Sequence, residues 1–171
     1  MLEIKTADEL VDAELEARWA LRRAARQTDV LQRVLRTFAE RGGPIRVEEI
    51  AAALPDRAPE AVRDSLIKLD EDDLIEVRGG RVEIAYPFSA APTPFVVRLA
   101  GGRERYACCA IDALGVAPLL GQRVHVGSQC HHCGTPLEFV VTPDGPGPEA
   151  REVMVWVGKR WEGERRIATS L

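Results

Sequence analysis

The sequence predicts an α+β chain in two parts, a winged-helix-like helical module followed by a small β-rich, cysteine-containing domain. Three observations carry that expectation: apolar residues at helical spacing as far as about Leu69, a change to short alternating runs after a proline-rich stretch, and the confinement of every cysteine and histidine to the second part. The predicted division is 1–86 for the helical module, 87–95 for a linker and 96–171 for the β-rich domain.

From Asp8 to about Arg41 the apolar positions are Leu10, Ala13, Ala17, Leu21 and Ala24, then Val30, Val34 and Phe38 with Leu31 and Leu35 beside them. That spacing predicts two helices with a break near Gln27 to Asp29, where Thr28 or Asp29 would cap the second. After a glycine stop come a short helix over Val47 to Leu54, a turn through Pro55 to Pro59, and a further helix to about Leu69. "DLIEVRGGRVEIAY" predicts two short strands joined at Gly79-Gly80.

Three helices and a hairpin in that order are the elements of a winged helix-turn-helix, a module that often reads DNA with its last helix. Here Arg57, Arg63 and Lys68 are outweighed by Glu60, Asp64, Asp70, Glu71, Asp72, Asp73 and Glu76. The helix and its exit would repel phosphate, so the charges argue against nucleic acid as a partner.

"PFSAAPTPF", Pro87 to Phe95, is the predicted linker. Beyond it "FVVRL", "RYA", "RVHV", "LEFVV" and "EVMVWV" predict strands, with one helix from about Cys109 to Val116 ahead of Pro118. "PDGPGPEA", Pro143 to Ala150, predicts an exposed loop.

With 171 residues, 46% hydrophobic and 29% charged, the composition is that of a soluble globular protein with a real core. A net charge of -4 argues against a general binder of nucleic acid or anionic membranes and leaves only a local basic patch open. The N-terminus has acidic residues where a secretory signal would be basic and then apolar, and no run reaches the roughly 18 apolar residues of a membrane span. A cytoplasmic location is therefore expected. In that reducing compartment, four cysteines clustered between Cys108 and Cys133 point to metal or thiol chemistry more than to disulfides.

"RYACCAIDAL" holds two of the four. A helix beginning near Cys109 would put that sulfur at the positive end of the helix dipole, where a thiolate is favoured and its pKa falls. Asp112 lies one turn on over the same face, so thiol and carboxylate could exchange a proton. The alternative is that Asp112 caps the helix edge and that Cys108 and Cys109 are packing residues.

"SQCHHCGTPLEF" holds the other two, Cys130 and Cys133, spaced C-x-x-C before Gly134 as in a zinc knuckle. One knuckle supplies half of a four-ligand site. Cys108, Cys109, His125, His131 and His132 are the remaining candidates, and none forms a second pair. The alternative places His131 and His132 in an exposed turn and His125 on one face of a strand.

"YACCAIDALGVAPLLGQRVHVGSQC", Tyr106 to Cys130, resembles the core signature of the alkylmercury lyases, the organomercurial lyases of bacterial mercury resistance. In that signature a Y-A-x-C-A-L-D-T-L segment precedes a proline, an apolar stretch ending in glycine, a short strand and another cysteine. The resemblance implies a domain of alkylmercury lyase type over 96–171, and a winged-helix-like N-terminal module not used for DNA. It also implies an enzyme that protonolyses carbon–mercury bonds to a hydrocarbon and Hg(II).

By the same resemblance Cys109 is the mercury-binding catalytic cysteine, Asp112 the catalytic aspartate and Cys130 a further family cysteine. Cys108 stands where the signature has an aromatic residue. No organic cofactor is implied; the partners are a small organomercurial substrate and cellular thiols that accept Hg(II). The family's second catalytic cysteine lies further downstream, and this chain has no cysteine after Cys133.

Three readings are open at that point. The chain is a short or C-terminally truncated member, or Cys133 or Cys130 supplies the second thiol, or lyase activity is lost and thiol metal binding kept. The metal residues expected are thus Cys109, Cys130 and Cys133, with zinc at Cys130 and Cys133 as a further expectation. The competing function is a non-catalytic zinc- or soft-metal-binding winged-helix protein, a sensor or regulator.

Overall fold

The computed structural model describes residues 4–11, 13, 17, 20, 21, 24 and 28–156. The first described element is α1 (Ala7–Leu10), opened by a capping box in which Thr6 and Glu9 satisfy each other's backbone N–H groups. The rest of the first predicted helix falls largely outside the described residues.

Helix α2 (Thr28–Arg41) buries the residues that predicted it, with Val30, Val34 and Phe38 all fully enclosed. Next come β1 (Ile45–Arg46), α3 (Val47–Ala52) and α4 (Pro59–Glu71). Pro59 fits the first turn of α4 because its missing N–H has no intrahelical partner there. The hairpin of β2 (Ile75–Arg78) and β3 (Arg81–Ala85) turns at Gly79 and Gly80, whose φ values of 54° and 75° are those of a two-residue primed turn. β1 pairs with the far side of β3.

Pro87 to Phe95 differs from the predicted linker. It contains β4 (Phe88–Ser89), hydrogen-bonded to β3 on one side and to β6 (Glu104–Ala107) on the other. Phe88 is fully buried, and its ring stacks on Phe38 of α2 with centroids 6.2 Å apart. Burying an aromatic pair outweighs the local preference of prolines for an exposed loop, so the stretch is part of the core.

The sheet therefore runs unbroken through both halves. Its order is β1-β3-β4-β6-β5-β7-β8-β9, where β5 is Val96–Arg98, β7 Val124–Gln129, β8 Pro136–Thr142 and β9 Gly145–Pro146, and β2 adds to β3. Every paired neighbour among the described strands is antiparallel, which makes the fold a mixed helix and antiparallel-sheet α+β structure. One hydrophobic cluster joins α2, α3 and α4 to the strands.

Helix α5 (Ala110–Leu120) covers the second half of that sheet, burying Ala113, Val116 and Ala117 alongside Val97, Val124, Val126 and Val141. It runs past Pro118, which was expected to stop it. A proline in the last turn forfeits one intrahelical bond, and the burial of the apolar face holds the helix together until Gly121 closes it at φ 62°.

Two strand-and-loop expectations also change near the end. Within "PDGPGPEA" the chain forms β9 and a 3-10 turn at Pro148–Ala150 instead of a plain loop. "EVMVWV" forms no strand over 152–156, where Met154 and Trp156 are exposed, and Val157 lies outside the described residues. No helix among the described residues is long and apolar enough to cross a membrane.

Candidate active site

β6 delivers the chain into the cysteine segment. Arg105 on that strand donates from Nε to the carbonyls of Phe38 (2.6 Å) and Ala39 (3.1 Å), so the end of α2 is fastened beside it. Ala107 pairs with Phe88, and the Cys108 N–H donates to the Pro87 carbonyl at 3.0 Å. The ladder stops there and the chain turns into α5.

Cys109 is the N-cap of α5. Its backbone is extended, and its sulfur accepts the Asp112 N–H at 3.4 Å, as a serine hydroxyl does at many helix starts. The same sulfur donates its proton to Asp112 Oδ2 at 3.0 Å. Cap and carboxylate are thus two halves of one reciprocal contact, set by the i, i+3 spacing.

The electrostatics reverse the expected shift of Cys109. Burial chiefly, and then the hydrogen bond to the Asp112 carboxylate, push its pKa up to about 11, against the opposing pull of the Asp112 and Ile111 N–H groups. The helix terminus is present, but a half-buried sulfur beside a carboxylate loses more to desolvation than it gains from the dipole. Burial also raises Asp112, although its hydrogen bonds with Cys109 act downward. The resting pair therefore keeps its proton on sulfur, with the carboxylate poised to receive it.

Cys108 is buried, and burial together with Asp112, Cys109 and Glu76 drives its thiol far above the ordinary range. It is a packing residue, as the sequence suggested.

Cys130 and Cys133 sit where β7 turns into β8. The Gly134 N–H donates to the Cys130 carbonyl and the Cys130 N–H to the Thr135 carbonyl, both at 2.8 Å, and Gly134 has φ 72°. Cys133 is exposed, with its sulfur 3.1 Å from Thr135 Oγ1. Hydrogen bonds from the Thr135 side chain and backbone and from the Cys130 side chain pull its pKa below the ordinary thiol value. Its neighbours His131 and His132 are exposed in the turn.

Among the described residues, no three His, Cys, Asp or Glu side chains converge so as to hold a metal ion. The structure pairs Cys109 with Asp112 and Cys130 with Cys133; among the described residues the knuckle has no third ligand of that kind. His125 stands on the outward face of β7, across from Arg98 and Val140, in an open groove of about 650 Å³ that none of the four cysteines lines.

One nearby group had no signal in the sequence. Tyr86, in the turn between β3 and β4, has a buried hydroxyl with no hydrogen-bond partner among the described residues. The carbonyl of Pro87, the next residue, accepts the Cys108 N–H at 3.0 Å.

Residues 88–171 match the family model MerB, alkylmercury lyase. An alkylmercury lyase of Streptomyces lividans is 36% identical over 71% of this chain and 54% of its own length, and one of Staphylococcus epidermidis is 37% identical over 65% and 49%. The chain thus spans about half the length of these curated relatives. A solved structure, the mercury-bound form of MerB2, shares the fold with a TM-score of 0.61 over 80% of this chain and 66% of its own, at 24% identity. With the signature at Tyr106 to Cys130 inside the matched region, residues 88–171 are similar in sequence to the alkylmercury lyases.

Proposed function

We propose that the protein cleaves carbon–mercury bonds in organomercurials by protonolysis, giving a hydrocarbon and Hg(II). The observation that carries this is the 3.0 Å contact between the Cys109 thiol and Asp112 Oδ2, at the two positions where the family signature has its catalytic cysteine and aspartate. Mercury is soft and prefers sulfur, so Cys109 binds it. A thiol whose pKa stands near 11 is protonated at neutral pH, and its proton must leave as the Hg–S bond forms. Asp112 takes that proton. As the carbon–mercury bond breaks, Asp112 returns it to carbon, while Hg(II) stays on sulfur.

A second thiolate that joins mercury pushes electron density onto the departing carbon. We assign that task to Cys133 or Cys130; the lowered pKa and exposure of Cys133 support the assignment. Cellular thiols then remove Hg(II), which suits a cytoplasmic setting. Residues 1–86 we read as a winged-helix-like module without a DNA role, supported by its helix–strand–helix–helix–hairpin order and by the excess of acidic over basic residues in α4 and its exit.

The test is release of benzene from phenylmercury by the purified protein with excess thiol. Release that disappears in Cys109→Ala and Asp112→Ala is the expected result. No release from the unaltered protein, or release unchanged in both variants, defeats the proposal.

A further inference from the structure

The turn between β7 and β8 brings two thiols together outside the Cys109–Asp112 site. Its backbone is closed twice, by the Gly134 N–H on the Cys130 carbonyl and by the Cys130 N–H on the Thr135 carbonyl, both at 2.8 Å. Gly134 permits the closure by entering the left-handed region at φ 72°. In a tight turn the Cα atoms of residues three apart stay within about 7 Å, and a disulfide spans about 4.4–6.8 Å between Cα atoms. The two side chains also share one side of the turn, since the Cys130 side chain reaches the Cys133 thiol as a hydrogen-bond partner.

Neither zinc nor packing accounts for the pair. A structural zinc takes four ligands, and among the described residues no third Cys, His, Asp or Glu side chain joins these two sulfurs. Every cysteine and histidine of the sequence is a described residue, so no further sulfur or imidazole remains to complete the set. Cys133 is exposed and Cys130 half-buried, so they do not serve as core residues either.

Access separates this pair from the other one. Cys108 is buried, and Cys109 is half-buried with its proton directed at Asp112 Oδ2. An incoming reagent meets Cys133 first, with Thr135 Oγ1 3.1 Å from its sulfur as a hydroxyl able to donate to a thiolate.

We propose that Cys130 and Cys133 form a thiol–disulfide exchange site for low-molecular-weight disulfides of the glutathione type. The Cys133 sulfur attacks one sulfur of the incoming disulfide. That S–S bond breaks, one thiol leaves carrying the proton given up by Cys133, and a mixed disulfide stays on the protein. Cys130 then attacks the Cys133 sulfur, its own proton leaves with the second thiol, and an internal S–S bond has formed. Two protein thiols are oxidised while one disulfide is reduced to two thiols, and excess thiol runs the sequence backwards. While the internal disulfide stands, neither sulfur is a thiolate able to bind a soft metal.

The test equilibrates the purified full chain with mixtures of reduced and oxidised glutathione, quenches with acid and reads the peptide that carries both cysteines by mass. An internal disulfide is expected at least about tenfold in excess of the glutathione adduct, because its second step is intramolecular. Cys130→Ser should halt at a glutathione adduct on Cys133. In the unaltered protein, an adduct that persists on Cys133, or a disulfide that joins Cys109 in place of Cys130, overturns the proposal. Metal analysis of the same protein is the second measurement, and stoichiometric zinc that shields both sulfurs from alkylation overturns it as well. Failure to release benzene would strike the lyase reading and leave the glutathione profile as it is. Absence of the internal disulfide strikes the exchange site alone, whatever the benzene assay gives.

Discussion

The two cysteine pairs occupy opposite environments although both lie at a turn where regular structure begins. Cys109 caps a helix, half-buried beside a carboxylate, and its pKa climbs to about 11. Cys133 stands exposed at a strand turn and its pKa is pulled down by Thr135. A helix N-terminus is commonly an activating position for sulfur, yet here the exposed turn is the more acidic site. Desolvation and a neighbouring negative charge outrank the dipole when they act on the same atom. The inner thiol is suited to a reaction that must conserve a proton, the outer one to capture and exchange.

The largest expected effect breaks the comparison from the inner side. Cys109→Ser should abolish benzene release, and Asp112→Asn should lower it about 10²–10⁴-fold, the usual worth of a positioned proton carrier. Cys133→Ser should leave a measurable rate, because its sulfur is not hydrogen-bonded to the carboxylate. Steady-state assays of the three variants decide this; equal losses in all three would erase the distinction between the pairs.

A comparable effect in stability concerns the core behind β4. Phe88→Ala should cost about 3–5 kcal/mol in denaturant unfolding, since it removes a fully buried ring stacked on Phe38. A cost below 1 kcal/mol would mean that β4 does not belong to the core.

Thiol reactivity sharpens the comparison directly. At pH 7.5 Cys133 should alkylate at least about a hundredfold faster than Cys109, because the ordinary thiol value lies between a lowered and a strongly raised pKa. Peptide mapping after a short iodoacetamide pulse measures both in one sample.

The smallest effect is in melting temperature. The folded-state pKa of Asp112 is raised, so the native state binds the proton more tightly than the unfolded chain, and stability is lost as pH rises through the carboxylate range. Asp112→Asn removes that loss. It should raise Tm by about 2 °C at pH 7, with the gain fading below about pH 4. A lowered Tm at pH 7 would mean that the carboxylate stabilises the fold through its Cys109 contact more than burial penalises it.

Much of this was legible from local spacing. Val30, Val34 and Phe38 announce a buried helix face, and Gly79-Gly80 a hairpin, because both signals reside within a few residues. The Cys109–Asp112 contact was legible for the same reason, as an i, i+3 pair at a helix start. What stayed hidden depends on distant partners. β4 is too short to have a period, and its prolines read as a linker until β3 and β6 close on it. The sign of the Cys109 shift turns on burial, which no local pattern reports.

Arg105 carries a last consequence. Its guanidinium grips the Phe38 and Ala39 carbonyls from the strand that ends at Ala107, immediately before Cys108. The helical half is thereby part of the mould in which the cysteine segment sets. Exchanging residues 1–86 for the corresponding piece of a relative would be no cassette swap, since a foreign helix end would have to present two carbonyls to the same arginine and a ring to the same phenylalanine. Inheritance of the two halves is expected to be joint.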